Sequence, residues 1–190
     1  MNKMYHAISA DEFEKLQFQA GAFLKTFDPT GTTPIKATDN VGLTTGGITV
    51  SCKPNTINLL DDVDEVPPGT KQGRHITSWD CGMSATLLTL STDTTKLTLG
   101  AATVDTGTGK VTLKDDYEDG DYTDIWWHGN MLGGGFAAVH LKNAISDNGF
   151  ELKTNKDGKG NLALSLKGHY DLTDTNTAPM EFYIKKKGEE

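Results

Sequence analysis

Six carboxylates crowd into one decapeptide, Asp115, Asp116, Glu118, Asp119, Asp121 and Asp124, with no basic residue among them. Oxygens at this density could hold a calcium ion through Asp115, Asp119 and Asp121, or supply the acids of a hydrolase. The spacing does not fit an EF-hand loop, and a solvated or repelling acidic surface accounts for the same residues. Trp126 and Trp127 follow directly. Neighbours on a strand face opposite sides, so one indole belongs to a core and the other to a surface or interface where a sugar could stack.

The other reactive residue types are dispersed. None of the five histidines stands at metal-ligand spacing from another histidine or from Cys52 or Cys81. His140 and His169 fall on polar phases and are expected to be solvated or locally hydrogen-bonded. Cys52 and Cys81 fall on the apolar phases of their strands and are expected as reduced, buried thiols, a disulfide or metal site being the alternatives. The glycines from Gly129 to Gly135 precede a β pattern, so they suit a mobile hairpin connection better than a phosphate loop. No Walker loop, nucleophile elbow or paired zinc ligands occur, and no enzyme is expected.

The elements that carry these residues are strands. From Ile76 to Leu90, Trp79, Cys81, Met83, Ala85 and Leu87 oppose Ser78, Asp80, Gly82, Ser84 and Thr86; from Gly160 to Leu172 the alternation returns. Further strands are expected at Ala22 to Phe27, Leu43 to Lys53, Phe136 to Asn143, Gly149 to Thr154 and Met180 to Lys186, with a hairpin between Val104 and Leu113. Ser91-Thr92-Asp93 offers an N-cap for one short helix over Thr94 to Ala102, with Leu97 and Leu99 inside. The chain of 190 residues therefore reads as one mainly β domain over 1–190, with an N-terminal arm over about 1–20.

Its formal charge of −8 argues against a protein that grips nucleic acid, because phosphate binding relies on Lys and Arg. Met1 to Lys15 lacks a signal-peptide core and no stretch approaches about 20 apolar residues, so a soluble product made in a cytoplasm is expected. Residues 54–75 show little strand pattern and read as an extended loop, with Asp61, Asp62, Asp64 and Glu65 ahead of two prolines and then Lys71 and Arg74. About 22 residues is long for a connection inside a compact domain, which points to a contact or to disorder.

Taken in order, the acidic proline-containing loop, Ile76-Thr77-Ser78-Trp79-Asp80, Leu99-Gly100-Ala101-Ala102, Asp124-Ile125-Trp126-Trp127, Gly135-Phe136 to Lys142-Asn143-Ala144 and Lys159-Gly160 to Gly168-His169-Tyr170 form a colinear set. This set resembles the major tail tube proteins of long-tailed phages of Gram-positive hosts, and the tubes of contractile phage-tail-like bacteriocins. The resemblance runs from about residue 20 to residue 186. It implies a β-sandwich or barrel body with one short flanking helix and a long inter-ring loop, assembled as six-fold rings stacked into a hollow tube. Its implied partners are further copies of the chain, a tape-measure protein, a tail terminator, a baseplate or distal tail protein and, in a contractile tail, a sheath. It also implies a structural role in a virion tail assembled in the host cytoplasm, with DNA and ejected proteins passing through and no cofactor.

On that resemblance Asp61, Asp62, Asp64, Glu65, Lys71 and Arg74 would form the inter-ring contact. The polar phases would line the bore: Thr45, Thr49, Ser51, Ser78, Asp80, Ser84, Thr86, Lys142 and Lys167, with His140, Ser165 and His169 beside them. About four strands from each of six chains, spaced about 4.8 Å and tilted about 40°, give a backbone diameter near ~48 Å, wide enough for a duplex of roughly 20 Å. Lys53, Lys142 and Lys167 share these phases, so acids must neutralise them across strands or one strand lies in another phase. The alternative function is a carbohydrate-binding or adhesin-like β-sandwich built on Trp126 or Trp127.

Overall fold

Alternating apolar and polar side chains become strands throughout the computed structural model, which describes residues 9–186. Its elements are α1 (Ala10–Glu14), β1 (Gln17–Leu24), β2 (Thr44–Asn58), β3 (Arg74–Leu87), α2 (Thr92–Leu99), β4 (Ala102–Asp105), β5 (Lys110–Leu113), β6 (Thr123–Met131), β7 (Gly135–Ser146), β8 (Glu151–Lys153), β9 (Asn161–Lys167) and β10 (Met180–Lys186). The protein is mainly β, and α2 is its flanking helix; α1 is a single turn capped by Ser9. Residues 1–8 of the expected arm lie outside the described residues.

Eight strands join in one antiparallel sheet, ordered β1-β6-β7-β9-β3-β2, with β10 beside β7 and β8 beside β9. The sheet folds over into a β-sandwich-like body because β7 changes layer. Its first part pairs with β6 and β10, whereas Ile145 and Ser146 pair with β9. The corner is Asn143, at φ +47°, whose backbone amide donates to Asp124 Oδ1 at 3.0 Å and whose side chain donates to the His169 carbonyl at 3.3 Å. Left-handed backbone is uncommon outside glycine, and asparagine tolerates it well. Between the layers lie Phe23, Ile125, Val139 and Leu141 from one side, and Cys81, Met83, Leu87, Leu162, Leu164 and Leu166 from the other.

Several boundaries differ from expectation for local reasons. The first strand begins at Gln17 and ends at Leu24, because it pairs with β6 as far back as Met131. β2 runs through Pro54 to Asn58 and β3 starts at Arg74, so the connection is residues 59–73 and not 54–75. Pro54 is tolerated because β2 is an edge strand and no neighbour needs its missing N–H. The alternation after Gly160 outruns its strand: β9 stops at Lys167, and Leu172 is 95% exposed.

Helix α2 spans 92–99 instead of 94–102. The Ser91 hydroxyl accepts from the Thr94 amide at 3.1 Å, and the Thr94 hydroxyl accepts from the Ser91 amide at 2.8 Å, closing both ends of a capping box. Its buried face is Thr94 and Thr98, with Leu97 only partly covered. The Thr98 hydroxyl returns to the Thr94 carbonyl at 3.0 Å, which satisfies a buried polar group inside the helix.

Candidate functional site

The outer face of β2, β3 and β9 gathers most of the polar residues singled out in the sequence. Directly opposed residues share a face, so the register makes rows: Thr49 with Ser84 and Ser165, Ser51 with Gly82 and Lys167, Thr45 with Thr86 and Ala163, and Lys53 with Asp80. Ser78 continues this face, accepting from Asn55 Nδ2 at 3.0 Å. Gly46 and Gly47, both at positive φ, are two extra residues that form a bulge, and because two are inserted Thr45 keeps the face of Thr49. Gly82 leaves a shallow depression of about 180 Å³ bordered by Ser51, Asp80, Ser84, Asp147, Ser165 and Lys167. A Cβ there would come 2.8 Å from the Leu166 carbonyl oxygen, so only glycine lets β3 and β9 lie this close.

Charge on this face is balanced locally. Lys167 Nζ meets Asp80 Oδ1 at 3.0 Å, and this hydrogen-bonded pair pushes the lysine above its ordinary pKa. Asp80 also lies opposite Lys53, and Asp147 lies near Lys167. The result is a hydroxyl-rich sheet surface with two lysines set among two aspartates. Such a surface lacks the clustered excess of cations that phosphate binding uses.

Lys142 and His140 are not brought to this face. They keep a common phase on β7, but ahead of the Asn143 corner β7 belongs to the other layer. There the His140 ring stacks on Trp126 at 4.0 Å and 3°, its Nε2 lies 3.1 Å from Asp124 Oδ2, and Lys142 bonds to Glu181. Lys142 holds the Glu181 carboxyl below the usual carboxylate range, and the Tyr183 hydroxyl, donating at 2.7 Å, adds to the effect. His169 lies beyond the end of β9, its Nδ1 3.3 Å from the Asn143 carbonyl.

Neither tryptophan makes a sugar platform. Trp126 is buried among Phe27, His140 and Tyr183, and Trp127 faces the main core, its Nε1 donating to the Ala20 carbonyl at 3.1 Å. The acidic decapeptide is also partly internal. Lys114 binds both oxygens of Asp121, at 2.9 and 3.0 Å, and reaches Glu118 at 2.7 Å. Burial alone would raise the Asp121 carboxyl, but Lys114, the Glu118 amide and Lys96 outweigh it and hold the group low. Asp121 therefore turns inward, away from any shared cation position with Asp115 and Asp119. Among the described residues no group of three or more His, Cys, Asp or Glu side chains converges as metal ligands.

The remaining candidate is the β2–β3 hairpin. Pairing extends to Asn58 and Arg74, well past the last core residue of either strand, so the far half stands clear of the body. Asp61 is committed to the tip, accepting from Asn58 Nδ2 at 2.6 Å and from the Gly69 amide at 3.4 Å. Asp62, Asp64, Glu65, Lys71 and Arg74 are exposed and form no ion pair among the described residues. No protein-family model matches the chain, and no curated protein sequence matches it. The hairpin also carries four exposed apolar side chains that the charge pattern concealed: Ile57 at 47%, Leu59 at 61%, Val63 at 45% and Ile76 at 54%. Their signal in the sequence was an aliphatic residue recurring inside a charged loop.

A cavity of about 300 Å³ opens beside α2, lined by Lys25, Asp93, Lys96, Leu97, Tyr122 and Ile125 among others. Its cations already face acids: Lys25 meets Asp93 at 2.7 Å, and Lys96 lies 4.0 Å from Asp121.

Proposed function

We propose that this protein is a structural subunit that polymerises with copies of itself into six-fold rings stacked as a hollow tail tube, through which DNA and ejected proteins pass into a host cell. The observation that carries the reading is the β2–β3 hairpin. β2 presents fifteen residues whose outer edge has no strand beside it among the described residues, and the hairpin leaves the body with apolar side chains bare. A long free edge is a template for pairing with another chain, and closure into a ring removes it. The hydroxyl-rich face of β2, β3 and β9 would then line the bore. Thr45, Thr49, Ser51, Ser78, Asp80, Ser84, Thr86 and Lys167 share that face; Lys142 belongs elsewhere.

The free acids and bases of the hairpin suit the second contact, between rings. Asp62, Asp64 and Glu65 stand before the turn and Lys71 and Arg74 after it, so one copy offers charges of both signs to the next. The partners that follow are a tape-measure protein, a terminator and a baseplate component, within a virion tail.

Negative-stain microscopy of concentrated protein tests the proposal: hollow tubes or six-fold rings are expected. A chain shortened within residues 60–73 is expected to fold, to remain in rings or monomers, and not to elongate. Tubes of normal length from that variant would remove the inter-ring role of the hairpin. A protein that stays monomeric at high concentration and when offered a tail-tip initiator complex would remove the tube reading itself.

A further inference from the structure

We propose that Cys52 and Cys81 are a covalent modification site, joined by a small-molecule disulfide oxidant into a cross-strand bridge that locks β2 to β3. The two residues are directly opposed in the antiparallel register, and their sulfurs lie 2.7 Å apart. Opposed residues in such a pair have Cα atoms about 4.5 or 5.5 Å apart, and both spacings fall within the roughly 4.4–6.8 Å range of disulfides. Forming a bond of about 2.05 Å needs less than about 1 Å of closure. With no third ligand converging on the pair among the described residues, a dithiol fits these sulfurs better than a metal centre.

The surroundings set the order of events. Cys52 is partly exposed on the edge strand, whereas Cys81 is fully covered in the core. Burial pushes the Cys81 thiol up to about 12, with Cys52 beside it adding to the rise. Cys52 is therefore the point of entry: its thiolate attacks the oxidant, a protein–oxidant disulfide forms, and one small thiolate leaves and takes up a proton. Cys81 then gives up its proton, its sulfur attacks Cys52 Sγ, and the second small thiol departs. In balance, two protein thiols and one small disulfide become one protein disulfide and two small thiols, with two electrons passing to the oxidant.

The bridge would join residues 29 positions apart, closing a loop that contains the whole hairpin tip, and it would forbid any slip in strand register. It does not depend on what the hairpin docks against, so it stands apart from the tube reading.

The test uses the full chain, purified reduced, freed of reductant and treated with oxidised glutathione. The protein is expected to lose the mass of two hydrogens, to lose both titratable thiols, to yield a Cys52–Cys81 cross-linked peptide, and to gain on the order of 5–10 °C in melting temperature. Cys81→Ser should instead stop as a glutathione adduct on Cys52. Two thiols that persist in the wild-type chain, a stable glutathione adduct on it, or cross-linking only between molecules would each overturn the proposal. The decisive readout is on the wild-type chain, so it holds even where the variant fails to fold.

Discussion

Glu181 shows how single side chains report on the layer that holds them. Its carboxyl accepts from Lys142 and Tyr183, so its folded pKa lies below the unfolded value near about 4.3. That contribution is fully present above the unfolded value and fades as the pH falls through the folded one. Glu181→Gln is expected to lower stability at pH 7 by roughly 1 kcal/mol in denaturant titration, and to weaken the acid dependence of what remains. Gly82→Val meets a different constraint, because its branched side chain would press on the Leu166 carbonyl. A loss of about 1–3 kcal/mol is expected by the same measurement. Asp80→Ala removes only an exposed pair, so unfolding should shift by less than about 1 kcal/mol. If the face lines a bore, Asp80→Lys should still assemble yet retain DNA at low salt in a gel-shift assay.

Among the elements, the hairpin invites the sharpest substitution. Leu59 is 61% exposed and lies outside the core, so Leu59→Glu is expected to change stability by no more than about 0.5 kcal/mol while blocking assembly, as read by thermal melting beside microscopy. The hairpin also marks where sequence reading stops. β10 was legible residue for residue, since Met180, Phe182 and Ile184 alternate with polar neighbours along one straight partner. β9 was overextended because Gly168, Tyr170 and Leu172 keep the rhythm after pairing has ended, and rhythm contains no information about a partner. Pro54 suggested a loop where an edge strand accommodates it. Lys142 kept its phase on β7 correctly, but a layer change at one asparagine sent that phase to the opposite side of the body. Trp126 and Trp127 do split between faces as adjacent strand residues must, and the second face proved to have an aromatic cover of its own. The pairing of Lys114 with Asp121 is not legible in the acidic decapeptide, because the lysine that neutralises it stands just outside that run.

On the scale of the whole molecule, several carboxylates share one electrostatic habit. Asp28, Asp105, Asp121, Asp171 and Glu181 are all held below the ordinary range by hydroxyl, amide or lysine donors. Each favours the fold when ionised, so melting temperature should fall most steeply once the pH drops below about 4; burial holds the His128 imidazole below its ordinary value, which adds a shallower loss that begins as the pH falls through about 6.5. The net charge of −8 pushes copies apart at long range, and screening it should speed self-association. Charged contacts between hairpins would respond the other way, so tubes formed at moderate salt should shorten at about 1 M, where the Debye length is near 3 Å.

A chain whose two layers share one strand has no seam along which to come apart. Peeling β10 and β6 from the near end of β7 loosens the anchor of Asn143, and with it the hold on β9 at the far end. Heating should therefore melt both layers in a single step, with calorimetric and van't Hoff enthalpies in agreement. A pull on the projecting hairpin would be borne by the entire subunit.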